Sequence, residues 1–324
     1  MTGNINSYTI HNNMGIKGLS TYIKHQIPSA RKPVQWKESK DTRWGIDCLC
    51  IMFKARGAGL SPITTLASII IRMREWNIEP IVIFDGKAPQ SKIVTTEQRR
   101  KVRSVVTAEM NDIKEKLKTE DSITIRSNLE HRHSSLQSKA PQISTSDRNV
   151  IKQFLHASGT RFVTALEEAD DMLSYLCRTG FIQAVISSDM DMLARGVPRL
   201  IHPETPDASV FTEISLTDVL EGVHLNYSQF VEACVLMGTD YSIRVSMNPH
   251  IALESVRYNK NIQTKINEHE IAKLKGVGVE WDDIISDFHK TKWDSTILTP
   301  EPETLQKMSE IYNWPVVWTS KLCT

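Results

Sequence analysis

Two aspartates, one residue apart, close an apolar run at residues 184–193, AVISSDMDML. Ala184, Val185 and Ile186 ask for burial, whereas Asp189 and Asp191 ask for water, a cation or both. The juxtaposition recurs along the chain. RWGID ends at Asp47, EPIVIFDG reaches Asp85, and TRFVTALEEADD brings in Glu168, Asp170 and Asp171. Carboxylates gathered from several strand ends repel one another severely unless cations lie between them. A set of oxygen donors with no Cys or His partner favours Mg²⁺ or Mn²⁺ over zinc.

The elements that must hold these acids are legible between them. Residues 63–76 place Leu66, Ile69, Ile70 and Met73 on one helical stripe. Residues 97–117 are compatible with a helix, as are 169–180, which Gly180 closes just past the last helical residue. LTDVLEGV and NYSQFVEACVLMG read as two more helices. Strands alternating with helices predict an α/β fold, a mostly parallel central sheet covered on both faces. Ligands of such sheets sit beyond the carboxyl ends of the strands, so acids at four strand ends converge on one edge.

The 324 residues are 40% hydrophobic, enough for a real core. No apolar run approaches the roughly 20 residues that span a bilayer, and MTGNINSYTIHNN lacks the form of a secretory signal. A soluble, intracellular protein with no membrane partner is expected. Cys48, Cys50, Cys177, Cys234 and Cys323 form no C-x-x-C pair, which argues against a zinc cluster or a disulfide framework; Cys48 and Cys50 read as core thiols. The net charge of +1 does not announce a nucleic-acid binder. Its distribution says more: residues 87–103 hold Lys87, Lys92, Arg99, Arg100, Lys101 and Arg103 against Glu97 alone. Such a run standing by itself is as often a solvated helix face. Residues 121–149 are polar with little apolar periodicity and read as a mobile surface segment. The stretch from about 241 reads as irregular, with Trp281, Trp293, Trp314 and Trp318 among charged residues.

Taken together, MGIKGL (14–19), GID (45–47), VIFDGKAPQSK (82–92), EEADD (167–171), SSDMDML (187–193) and LMGTDYSIR (236–244) occur in the order and spacing of the flap endonuclease/XPG family of structure-specific 5′ nucleases. The chain resembles that family over roughly residues 14–257. The resemblance implies a PIN-like nuclease core over 14–240 after an extension of residues 1–13. It also implies a helical arch at about 104–149, and a helical C-terminal region at 241–324 with a degenerate helix-hairpin-helix-like element. It implies two divalent ions, Mg²⁺ with Mn²⁺ as a substitute, held by Asp47, Asp85, Glu168, Asp170, Asp189, Asp191 and Asp240. It puts Lys92 and Arg99, seven and fourteen residues after Asp85, on a gateway helix as catalytic cations. Gly15 and Lys17 would lie near the substrate junction, with Arg100, Lys101 and Arg103 as diffuse attraction for the DNA backbone. The arch is expected to order on DNA binding.

The chain departs from the family in three places. Val245 and Met247 stand where a G-x-G hairpin that anchors duplex DNA is expected, which puts that anchor in doubt. NWPVVWTSKLCT carries no sliding-clamp box. The residues before Met14 imply either a start at Met14 or an extension steered away from DNA. The implied function is metal-dependent hydrolysis of DNA with 5′ flaps, ends or junctions, by a monomer, in replication, repair or recombination. An RNA–DNA hybrid stays open as a partner. Two alternatives remain: a non-catalytic DNA-binding or scaffold protein on the nuclease fold, and a D-x-D phosphatase. The second needs its acid pair on the first strand, whereas SSDMDML falls on a late one.

Overall fold

The apolar runs become the parallel centre of a seven-stranded sheet. The structure, a computed structural model, describes residues 15–87, 92–240, 246–258 and 299–323. Strand β1 (Arg31–Pro33) follows helix α1 (Leu19–Gln26) and precedes β2 (Arg43–Asp47). Helices α2 (Cys48–Gly57) and α3 (Pro62–Glu75) lead to β3 (Glu79–Phe84). Then come α4 (Ile93–Thr119), α5 (Ile123–Lys139), α6 (Thr145–Ala157), β4 (Arg161–Thr164), α7 (Ala169–Arg178), β5 (Ala184–Ile186) and the single turn α8 (Asp191–Ala194). Strands β6 (Arg199–Pro203) and β7 (Phe211–Ser215) precede α9 (Leu216–Val223), α10 (Tyr227–Met237) and α11 (Pro249–Arg257). Two further helices, α12 (Pro302–Tyr312) and α13 (Val316–Cys323), complete the described chain.

The strand order is β1-β7-β6-β5-β2-β3-β4. Strands β4, β3, β2, β5 and β6 run parallel, while β7 lies antiparallel to both β6 and β1. The register pairs Asp47 with Ile83, Ile46 with Ile186 and Phe84 with Thr164. The residues that follow these pairs therefore leave the sheet at the same edge. The chain moves outward from β2 through β3 to β4, then returns to place β5 on the other side of β2. That reversal makes a crevice beyond β2 and β5, where open α/β sheets bind their ligands.

Side chains alternate across the strands. Ile81, Ile83 and Val185 face a core shared with α1, α7, α9, α10 and α11. Val82, Phe84 and Ile186 face a second core with α2, α3, α6, α12 and α13. Helix α7 ends as expected, with Gly180 at φ 76° and its N–H donating to Cys177 O at 3.1 Å.

Two expectations are corrected. The polar stretch 121–149 is mostly helical: α5 begins after the Ser122 cap, and Ser144 and Asp147 form a capping box for α6. An exposed helix needs no apolar stripe. Helix α5 lies back along α4 through polar contacts, Arg132 to Glu109 (2.7 Å) and Arg126 to Leu117 O (3.0 Å), and buries little beyond Leu136. The described residues after 248 are not irregular either. Trp314 is buried in the second core and donates from Nε1 to Thr64 Oγ1 at 3.0 Å. Trp281 and Trp293 lie outside the described residues. The five cysteines are free thiols, Cys48 and Cys50 buried as expected. Among the described residues, no helix is long and apolar enough to cross a membrane.

Candidate active site

Each acid is set by the element that ends or begins beside it. Asp47 closes β2 and caps α2: Oδ1 accepts from Cys50 N–H at 3.1 Å and Oδ2 from Ser187 Oγ at 2.9 Å. Asp85 follows β3 and accepts from Ala169 N–H at 2.9 Å, the first amide of α7. The glycine after Asp85 is required by close approach. A Cβ on Gly86 would stand 1.9 Å from Ala165 O, because Gly86 N–H and Lys87 N–H donate to Glu167 O (2.7 Å) and Leu166 O (3.0 Å). Glu168 is the N-cap residue of α7, with Asp170 and Asp171 in its first turn, where the helix dipole favours negative charge. Beyond β5, Asp189 N–H donates to Ser187 Oγ (3.1 Å) and Asp191 N–H to Asp189 Oδ1 (2.8 Å). Asp240 follows α10 by three residues.

The cations meet these acids. Lys92, at the N-cap of α4, lies 2.5 Å from Glu168 Oε1 and 3.7 Å from Asp240 Oδ2. Arg99 lies 2.6 Å from Asp240 Oδ1. Seven residues are nearly two helical turns, so both reach from one face of α4. Arg103 continues that face one turn on and is half-buried, and burial and the charge of Arg99 lower its guanidinium from its ordinary value. Arg100 is exposed. Gly15, at φ 82°, stands against two of the acids; a Cβ there would sit 1.9 Å from Asp189 Oδ1 and 2.9 Å from Asp191 Oδ1. Lys17 is exposed, and its N–H ties the segment to Gly238 O at 3.1 Å.

The acids are costly as they stand. Asp47 is 4% exposed, Glu168 7%, Asp189 9% and Asp191 1%. Burial and the neighbouring Asp85 raise Asp47 to about 7. Burial raises Asp191 to about 6 against the opposing charge of Arg195. Asp189 is held well above the carboxylate range by burial and Asp191, and Asp170 by burial and Asp189. Neither carboxylate oxygen of Asp191 has a hydrogen-bond partner. As placed, no three acids, histidines or cysteines among the described residues form a group that could hold a metal ion, and the Lys92 ammonium lies among the acids. The donor set still fits a hard divalent cation: oxygens only, crowded, with the buried Asp191 carboxylate unpartnered.

Sequence reading missed two residues. Ser187 links Asp47 to Asp189, and nothing in SSD distinguishes it from an ordinary loop serine. Arg195 is wholly buried against Asp171 and Glu168, and its only signal is a charge inside MLARGV. Of the altered hairpin, Val245 lies outside the described residues. Met247 is half-buried against the first core, its N–H donating to Leu236 O at 2.9 Å, and Asn248 caps α11.

A family model described as the XPG N-terminal domain matches residues 14–106, and one described as the XPG I-region matches residues 159–240, together more than half of the chain. Flap endonuclease 1 of Theileria parva is 25% identical over 272 residues, 78% of this chain and 53% of that protein. Flap endonuclease 1 of Caenorhabditis briggsae is 28% identical over 280 residues, 80% of this chain and 70% of that protein. The chain thus spans about half the length of the first relative and somewhat more of the second. Among solved structures, flap endonuclease-1 from Methanococcus jannaschii matches with a TM-score of 0.57 at 21% identity, over 90% of this chain and 95% of that one. The catalytic core of Rad2 in complex with DNA substrate matches with a TM-score of 0.58 at 16% identity, over 93% and 98%. At these identities the likeness is one of fold.

Proposed function

The chain belongs to the flap endonuclease/XPG family, and we propose that it is a divalent-metal-dependent nuclease that hydrolyses phosphodiester bonds in DNA carrying 5′ flaps, ends or junctions. The observation that carries the reading is that Asp47, Asp85, Glu168, Asp170, Asp189, Asp191 and Asp240 lie near enough to act on one another beyond the sheet, with Gly15 against Asp189 and Asp191 and with Lys92 and Arg99 paired to Glu168 and Asp240. Those carboxylates would hold Mg²⁺, which when bound activates water and stabilises charge on the leaving oxygen.

The chain's own groups do the rest. Gly15 presents backbone with no side chain, so a phosphate can come within reach of Asp189 and Asp191. Lys92 and Arg99 supply fixed positive charge where a transferring phosphate becomes more negative, and in a buried site that charge counts for more than it would in water. In the structure the same two cations offset Glu168 and Asp240, so an arriving phosphate would compete for them. Arg103 and Arg100, farther along α4, attract the DNA backbone without touching the chemistry. DNA as the partner is supported by the DNA substrate bound to the Rad2 neighbour of the same fold. The same reading takes the chain as a monomer that acts in replication, repair or recombination.

A panel of end-labelled DNAs tests it: a 5′ flap, a nick, a gap, a bubble and a four-way junction, each with Mg²⁺. Cuts confined to the neighbourhood of a 5′ branch or end are expected. Absence of cleavage on every member, with DNA still bound, would support a scaffold instead.

A further inference from the structure

Arg195 has no part in the proposed chemistry, yet it is one of the largest wholly buried side chains. It follows α8, and its N–H donates to Asp191 O at 2.9 Å, so it closes the turn that begins with Asp191. Its guanidinium pairs with Asp171 in the first turn of α7, and Nη2 lies 3.5 Å from Glu168 Oε2. Arg178 holds the carbonyl of Arg195 at 2.9 Å. One residue therefore joins two acid-bearing segments, the start of α7 and the start of α8. Glu168 divides its oxygens accordingly: Oε2 turns back toward Arg195, and Oε1 faces Lys92 and the acid cluster.

A buried ion pair is a poor way to gain stability, because desolvation can exceed the Coulombic gain and a well-packed apolar pair often serves as well. What Asp171 and Arg195 add is a hydrogen-bond donor fixed at one place behind a carboxylate. We propose that Arg195 is a positioning residue: locked by Asp171, it fixes Glu168 with Oε1 toward the cluster and thereby sets the affinity of the site for divalent cations. The inference rests on the reading of Glu168 as a metal ligand. Partners behind a metal ligand typically change metal affinity by about 10- to 100-fold.

The test is isothermal titration calorimetry with Mn²⁺ on the full chain, with thermal midpoints recorded alongside. The variants are Arg195→Lys, the paired replacement Asp171→Leu with Arg195→Met, Glu168→Gln, and Glu168→Gln added to the paired replacement. The paired replacement should stay folded and bind Mn²⁺ about 10-fold more weakly. Adding Glu168→Gln to it should cost much less than Glu168→Gln costs in the parent, since Glu168 is already misplaced. Arg195→Lys keeps the charge but cannot hold both carboxylates, and should also weaken Mn²⁺ while remaining folded; it decides the matter if the paired replacement does not fold. Parental Mn²⁺ affinity in Arg195→Lys or in a folded paired replacement would overturn the proposal. So would a Glu168→Gln loss that adds in full. A parent that binds no Mn²⁺ overturns the nuclease reading and this inference with it, whereas a parent that binds and variants that match it overturn this inference alone.

Discussion

The acid-lined sheet edge and the α4–α5 hairpin beside it are built on opposite terms. At the edge, Asp47, Asp85 and Asp189 are each fixed by hydrogen bonds to neighbouring backbone or hydroxyl groups, and Gly86 and Gly15 stand where a carbonyl and a carboxylate come too close for a Cβ. In the hairpin, the contacts between helices are mostly exposed ion pairs and hydrogen bonds, such as Arg132 with Glu109. Exposed pairs of this kind contribute about 0–1 kcal/mol each. The edge is therefore overdetermined and the hairpin adaptable. Chemistry needs the first property, and under the proposed function accommodating a branched nucleic acid would need the second. The two regions meet at Lys92 and Arg99, which belong to the hairpin by sequence and to the edge by contact.

The sharpest way to break this contrast is to remove an acid. Asp189→Ala or Asp191→Ala should reduce single-turnover cleavage by more than about a thousand-fold, the upper range for losing one preorganised electrostatic partner. DNA affinity by fluorescence anisotropy should hold or rise, since like charge is removed from the path of the phosphate. Near-parental cleavage would show that the edge is not the reaction centre.

Gly15→Ala comes next. At φ 82°, with its Cβ directed at Asp189 Oδ1, the new methyl must displace the carboxylate or the backbone. A misplacement of about an ångström can cost about 100-fold in rate. The thermal midpoint should fall as well, since a non-glycine residue at this φ costs about 1–3 kcal/mol, and a cleavage rate within a few-fold of the parent would mean the close approach is incidental.

Three substitutions along α4 locate the border between the regions. Lys92→Ala and Arg99→Ala should each slow the single-turnover step by about 100- to 1,000-fold. Arg103→Ala should leave that step intact, weaken DNA binding and flatten its salt dependence by about one phosphate contact. Equal, modest affinity losses in all three would move the border and leave the edge without its cations.

A smaller effect sits in stability. Asp47 is raised from 3.8 to about 7 and Asp191 to about 6, so between those limits the folded chain holds protons that the unfolded chain has released. Stability contributed by the uncharged carboxyls is present at the acidic end of that window and is lost as pH rises through it. The thermal midpoint of the metal-free protein should fall accordingly. Asp47→Asn should flatten the slope, and Mg²⁺ should reduce it. An identical pH profile in Asp47→Asn would assign the slope to other groups.

The same contrast decides what could be read from sequence. Strands β2, β3 and β5 are buried on both faces, so they appear as unbroken apolar runs, and an acid at the end of such a run cannot be mistaken for part of it. Lys92 and Arg99 stand out from the rest of the basic run only through the family resemblance, which places a Lys and an Arg seven and fourteen residues after Asp85. Helix α5 is not legible, because its side chains face water on most sides and leave no period to detect. Strands β1, β6 and β7 are not legible because RKP, RLIHP and FTEIS mix polar and apolar residues without a clear alternation or an unbroken apolar run. Ser187 and Arg195 act through contacts between segments far apart in the chain, which no local pattern records.

If the clustered carboxylates bring metal ions to a phosphodiester, the single-turnover cleavage rate of a 5′-flap DNA must follow Mg²⁺ as it is raised from zero in a metal-stripped protein. No cleavage is expected without the ion, and a rate that rises more steeply than first order in Mg²⁺, as two cooperating ions require. Cleavage that persists at full rate in excess chelator, or a rate indifferent to Mg²⁺, would contradict that role for the carboxylates.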